Sequence, residues 1–98
     1  MTTSDIEIGH DLNNGGGRYW VEVDGGSAEL TYINRGDDVI VIDHTYVPPE
    51  ARGRDIAQRL VERAVADARE RNLRIVPQCP YVAKLFDRRA DLAERRAA

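Results

Sequence analysis

Within one short span the chain changes from a strand pattern to a helix pattern, and that change limits what it can fold into. Val39-Ile40-Val41-Ile42-Asp43-His44-Thr45-Tyr46 is a β-branched run that reads as a buried strand. Val47-Pro48-Pro49-Glu50-Ala51-Arg52-Gly53-Arg54-Asp55 stops it. Ile56, Ala57, Leu60, Val61, Ala64, Val65 and Ala68 then recur at helical spacing, with arginines and acids between them on the other face. The link is basic and contains a glycine. At a helix N-terminus such a turn puts free backbone N–H groups and positive charge where an anion can bind.

The flanking segments extend this pattern. Ile6-Glu7-Ile8 alternates apolar with polar and predicts a short edge strand, and Asn13-Asn14-Gly15-Gly16-Gly17 predicts a loop. Tyr19–Val23 and Ala28–Ile33 predict two strands joined at Asp24-Gly25-Gly26, and Asn34 to Asp38 turns the chain into Val39–Tyr46. The result is an antiparallel meander. The helix is expected from Gly53 to Arg71, with Asn72 as the left-handed residue that ends it. Arg74–Cys79 reads as a strand reached by a crossover helix, hence parallel to Val39–Tyr46. Pro80–Arg89 reads as a second helix on Val82, Leu85 and Phe86, and Ala90–Ala98 as its extension or a frayed tail. The fold class is α/β: a mixed, mostly antiparallel sheet with one parallel pair joined by a crossover helix. In such sheets ligands bind beyond the strand C-termini.

At 98 residues the chain is expected to be one domain, residues 1–98, with a core over about 5–89. No apolar run is long enough to span a membrane, and Met1–Asp5 has no secretory signal. The lone Cys79 can form no internal disulfide, which fits a reducing cytoplasm. A net charge of −3 argues against nucleic acid as a partner. Two histidines and one cysteine give no metal-site spacing, and His10 has no evident partner. Glu22, Asp24 and Glu29 read as solvated strand and turn residues. An edge strand at Ile6–Ile8 leaves both monomer and homodimer open.

Arg52-Gly53-Arg54-Asp55-Ile56-Ala57 resembles the acetyl-CoA motif of the GCN5-related N-acetyltransferases: Arg or Gln, two variable residues, Gly, one variable residue, then Gly or Ala. Together with His44-Thr45-Tyr46-Val47-Pro48-Pro49 and Val76-Pro77-Gln78-Cys79-Pro80-Tyr81-Val82, it is similar at matching spacing to the small YjdJ-type group of that superfamily. The likeness covers about Asp5 to Arg89. It implies acetyl-CoA as cofactor and a small-molecule or protein amine as acceptor. The pantetheine would pair with backbone at Tyr46–Val47, and Arg52, Gly53, Arg54, Asp55, Ile56 and Ala57 would hold the pyrophosphate. Cys79, at the end of the second parallel strand, would lie beside the acetyl group. The resemblance implies that it is the functional cysteine; as a bare residue it reads first as a small buried hydrophobe.

Two positions depart from the family pattern. Asp55 stands where the phosphate loop has glycine, and Tyr46 where the family has glutamate after His-Thr. Two like charges about 6 Å apart at an effective dielectric near 20 repel by roughly 3 kcal/mol, so Asp55 opposes a pyrophosphate unless Arg52, Arg54 or Arg59 neutralises it. Asp55-Ile56-Ala57-Gln58 also fits a variant capping box, which would place the carboxylate on the helix N-terminus. His44 is a candidate base, and alternation puts it on the face of Ile40, Ile42 and Tyr46. Tyr46, with a reference pKa of about 10, cannot replace a glutamate base. Tyr81 is a candidate proton donor to a departing thiolate. The second functional reading is a non-catalytic acyl-CoA or protein-binding module.

Overall fold

The computed structural model describes residues 7–97. Its strands are β1 (Gly9–Asn13), β2 (Gly16–Val23), β3 (Gly26–Arg35), β4 (Val39–Tyr46) and β5 (Arg74–Pro77). They lie in one sheet in that order. The first four are antiparallel, and β4 and β5 are parallel. Helix α1 (Ile56–Glu70) makes the crossover, and α2 (Pro80–Arg88) and α3 (Ala90–Ala93) follow β5. The mixed sheet with one parallel pair is as expected from the sequence.

The boundaries differ at its margins. Ile6 lies outside the described residues, Glu7 and Ile8 are not in a strand, and the edge strand is Gly9–Asn13 instead. The glycine run is not a loop, because Asn13 pairs with Gly16 and only Asn14-Gly15 turns. Gly15 carries the positive φ of +100° that this tight reversal needs. The glycines after it enter β2, where a side chain at Gly16 would collide with the Tyr32 carbonyl and one at Gly17 with the Tyr32 hydroxyl. Strand β5 stops at Pro77, two residues early, and α1 begins at Ile56 rather than Gly53. Of the tail, residues 90–97 neither extend α2 nor fray: on the side away from β4, Ile75 donates its N–H to the Arg95 carbonyl and its carbonyl accepts from the Ala97 N–H.

The core explains which face each element buries. Tyr19, Val21, Ala28, Leu30, Tyr32, Ile40 and Ile42 project from one face of the sheet and meet Leu60, Val61, Ala64 and Val65 of α1. Val82, Leu85 and Phe86 of α2 and Leu92 of α3 join the same cluster. Helix α1 ends as its sequence predicts, with Asn72 left-handed at φ +57°. The Leu73 N–H reaches the Ala68 carbonyl at 2.7 Å and the Asn72 N–H the Arg69 carbonyl at 3.3 Å, closing the terminal carbonyls.

His10 does have a partner. Its ring stacks on Tyr19 at 4.0 Å, and its Nε2 shares a hydrogen bond of 2.6 Å with the Tyr32 hydroxyl. Tyr19 in turn donates to Asp67 of α1 at 2.7 Å, and Arg63 completes that pair at 3.2 Å. Edge strand β1 is thereby tied through two tyrosines to the crossover helix.

Burial holds the pKa of His10 below its ordinary 6.5, with Arg63 and Arg71 pulling the same way and Asp67 and Asp11 against it. The unfolded chain therefore binds the proton first as pH falls. Stability is full above about pH 6.5 and is lost as pH drops through the lowered folded value. Urea midpoints measured between pH 8 and pH 5 should show this decline, and His10→Gln should remove that part of it.

Candidate functional site

The site begins where two strands part. The β4–β5 ladder ends at Ile42–Pro77. One more bond, from the Cys79 N–H to the Ile42 carbonyl at 3.0 Å, ties the chain as it leaves β5. Strand β4 continues through Asp43–Tyr46 beside β3 alone, and α2 starts at Pro80, whose missing N–H costs nothing at that position. A gap therefore opens between Thr45–Val47 and Cys79. Cys79 is 7% exposed, and its Sγ lies 3.5 Å from the Thr45 hydroxyl across the start of the gap. Thr45 was not singled out by the sequence, because the facing of β4 beyond Ile42 depends on a bulge.

That bulge reassigns His44. Ile42 pairs with Tyr32 and His44 with Thr31, leaving Asp43 as the extra residue. One inserted residue reverses the alternation beyond it. Thr45, opposite Leu30, keeps to the helix-covered face, while His44 and Tyr46, opposite Thr31 and Glu29, turn to the other side. The expectation that His44 shares a face with Ile40 and Ile42 is thus corrected; His44 and Tyr46 do share one. His44 and Cys79 do not form a nucleophile–base pair. On its open face His44 Nε2 lies 3.5 Å from Glu29 Oε2, and Arg18 Nε donates to Glu29 Oε1 at 2.6 Å beside the Trp20 ring. Thr31 donates to Asp43 at 2.7 Å. Glu29 is therefore not the bare solvated residue expected, but joins Arg18 to His44.

The basic turn forms the other wall. A cleft of about 330 Å³ is lined by Val47, Ala51, Arg52, Gly53, Asp55, Ile56, Ala57 and Tyr81. Arg52 Nε donates to the Val47 carbonyl at 2.8 Å, tying the turn to the end of β4. Gly53 has φ +88° and Asp55 φ +58°, so two left-handed residues aim the chain into α1. The capping box does not form. Asp55 makes no side-chain cap bond and is exposed, so no carboxylate covers the first-turn amides of α1. An exposed charge is screened by water, and the repulsion expected of Asp55 shrinks to about threefold in affinity at a dielectric near 80. Arg54 points away, 3.5 Å from Asp24 at the β2–β3 hairpin. Tyr46 lies 43% exposed on the open face. Tyr81 is half-buried; burial raises its pKa, Arg88 opposes this, and Asp55 and Glu62 add to it. Its hydroxyl stays protonated at neutral pH.

Among the described residues no group of three or more His, Cys, Asp or Glu side chains gathers to hold a metal ion. No described helix is long and apolar enough to cross a membrane.

A sheet whose parallel pair opens beside a glycine-bearing, uncapped helix entrance has the architecture of the GCN5-related acetyltransferases. The comparisons agree. A family model described as GCN5-related N-acetyl-transferase matches residues 18–95, and the chain belongs to that family of acetyl-transferring enzymes. A GCN5-like protein from Staphylococcus aureus, proposed to be an N-acetyltransferase, has a solution structure similar at TM-score 0.74 and 26% identity. That match covers 98% of this chain and 92% of the other. The ribosomal-protein-alanine N-acetyltransferase of Brucella melitensis biovar Abortus 2308 shares the fold at TM-score 0.61 and 24% identity, over 88% of this chain and 64% of its own. No curated protein matches the sequence.

The two left-handed residues respond differently to substitution. A side chain at Gly53 would meet no atom within 4 Å, so Gly53→Ala pays only for its backbone angle. It should lose about 1 kcal/mol in urea denaturation, whereas Asp55→Gly, already left-handed, should stay within about 0.5 kcal/mol of the parent.

Proposed function

We propose that the protein moves an acetyl group from acetyl-CoA to the amine of a small molecule or protein. The observation that carries this reading is the cleft at the entrance to α1, where uncapped amides, Gly53 and Arg52 lie beside Val47 at the end of β4 and Tyr81 of α2. The amides over Gly53–Ala57, with Arg52 beside them, suit a pyrophosphate. Backbone at Tyr46–Val47, beyond the last β5 pair, suits a pantetheine arm. When bound, acetyl-CoA supplies a thioester whose carbonyl carbon an amine can attack.

The chain's own groups divide the remaining work. Tyr81 keeps a proton on Oη at the cleft wall and is the proton donor. His44, with Glu29 behind it, accepts a proton from an amine arriving on the open sheet face. Cys79 is buried against a hydroxyl rather than a base, which favours direct attack over passage of the acetyl group through sulfur.

Calorimetric titration of acetyl-CoA tests the donor. The parent should bind with micromolar affinity, and Asp55→Gly about threefold more tightly. Binding by the glycine variant alone would mean that one carboxylate has closed the site, and the reading as an acyl-CoA or protein-binding module would replace this one. For the route of transfer, Cys79→Ala should keep turnover within about threefold; a loss of about a hundredfold or more would make the cysteine the acetyl carrier.

A further inference from the structure

The cofactor cleft has a neighbour. A second hollow of about 410 Å³ lies along α2, lined by Tyr81, Lys84, Asp87 and Arg88, so Tyr81 forms a wall common to both. Tyr81, Lys84 and Arg88 stand at i, i+3 and i+7, on one stripe of the helix. Their charges are unlike those around them. Arg69, Arg89 and Arg96 are each paired with a carboxylate at 2.8 to 3.2 Å, whereas Lys84 and Arg88 enter no ion pair among the described residues. The carboxylate in the hollow, Asp87, is itself held by Arg96 at 3.1 Å. Two uncompensated cations therefore face a cavity beside the proposed pyrophosphate site. Arg88 lines this hollow together with Tyr81, whose ring also borders the cofactor cleft.

We propose that this hollow takes the 3′-phosphoadenosine end of coenzyme A, with Lys84 and Arg88 binding the 3′-phosphate. The inference rests on acetyl-CoA as the donor and extends it to donor specificity. A phosphate monoester carries about −1.5 to −2 charge near neutral pH, which two cations balance. The turn at Arg52–Ala57 reads the pyrophosphate, which every CoA fragment of sufficient length carries. Lys84 and Arg88 read the one group that separates coenzyme A from its 3′-dephospho form. A purely structural assignment also exists for Arg88, since a cation in the last turn favours the helix dipole. That role predicts no preference between the two ligands.

The test is calorimetric titration of coenzyme A and of 3′-dephospho-CoA into the parent protein and into the double variant K84Q/R88Q. Glutamine keeps helix propensity at both exposed positions. The parent should bind coenzyme A at least about tenfold more tightly than the dephospho form, as loss of an exposed charge-assisted contact implies. The double variant should bind both ligands alike, at the parent's affinity for the dephospho form. A preference that survives K84Q/R88Q, or is absent from the parent, overturns the inference while leaving the cofactor cleft in place. Failure of the parent to bind either ligand overturns the acetyl-CoA reading and this inference with it.

Discussion

The end of the parallel ladder at Ile42–Pro77 is the constraint on which the rest of the structure depends. A parallel neighbour added by a crossover helix can pair only as far as its own chain runs straight, and here Pro77 and Pro80 bracket the departure. Pairing beyond that point would fill the space between β4 and Cys79 with hydrogen bonds. Because it stops, the backbone at the end of β4 borders a gap, and the basic turn that leads to α1 forms its second wall. The bulge at Asp43 sits at the same level. It adds a residue to β4 where the partner strand is lost, so side chains that would have pointed into one core are divided between two faces.

This division explains what was legible in the sequence. The β-branched run Val39–Tyr46 kept its predicted ends because period, composition and the following prolines all agree. Helix α1 followed its apolar spacing, and Asn72 ended it with the left-handed angle that asparagine tolerates. The glycine run misled, since glycine serves both turns and crowded strands. At Gly16 and Gly17 it is the nearness of Tyr32, fixed by cross-strand register, that keeps side chains out. Nothing local to those residues carries that information.

The site was legible as a stretch of chain but not as a set of directions. Val47, the Arg52–Ala57 turn and Tyr81 contribute most of one cleft, as a motif read along the sequence would suggest. His44 faced the wrong way in that reading because a strand's alternation cannot reveal its bulge. Asp55 was taken for a cap because its spacing to Gln58 fits one, yet a residue at φ +58° does not present its side chain as a cap does. Lys84 and Arg88 were recoverable in principle from their spacing to Tyr81. Their significance depended on knowing that no acidic residue among those described pairs with them, which only the packing of α2 and the tail shows.

The way the tail ends has a consequence for association. Ile75 spends both outward backbone groups on Arg95 and Ala97, so the β5 side of the sheet offers no continuous row of free donors and acceptors. The opposite margin is β1, where Leu12 stands 72% exposed on an otherwise polar strand. Among the described residues the sheet can thus be lengthened by another strand at one margin only. Growth there would proceed away from the parted strands and leave the cleft as accessible in an assembly as in a single chain.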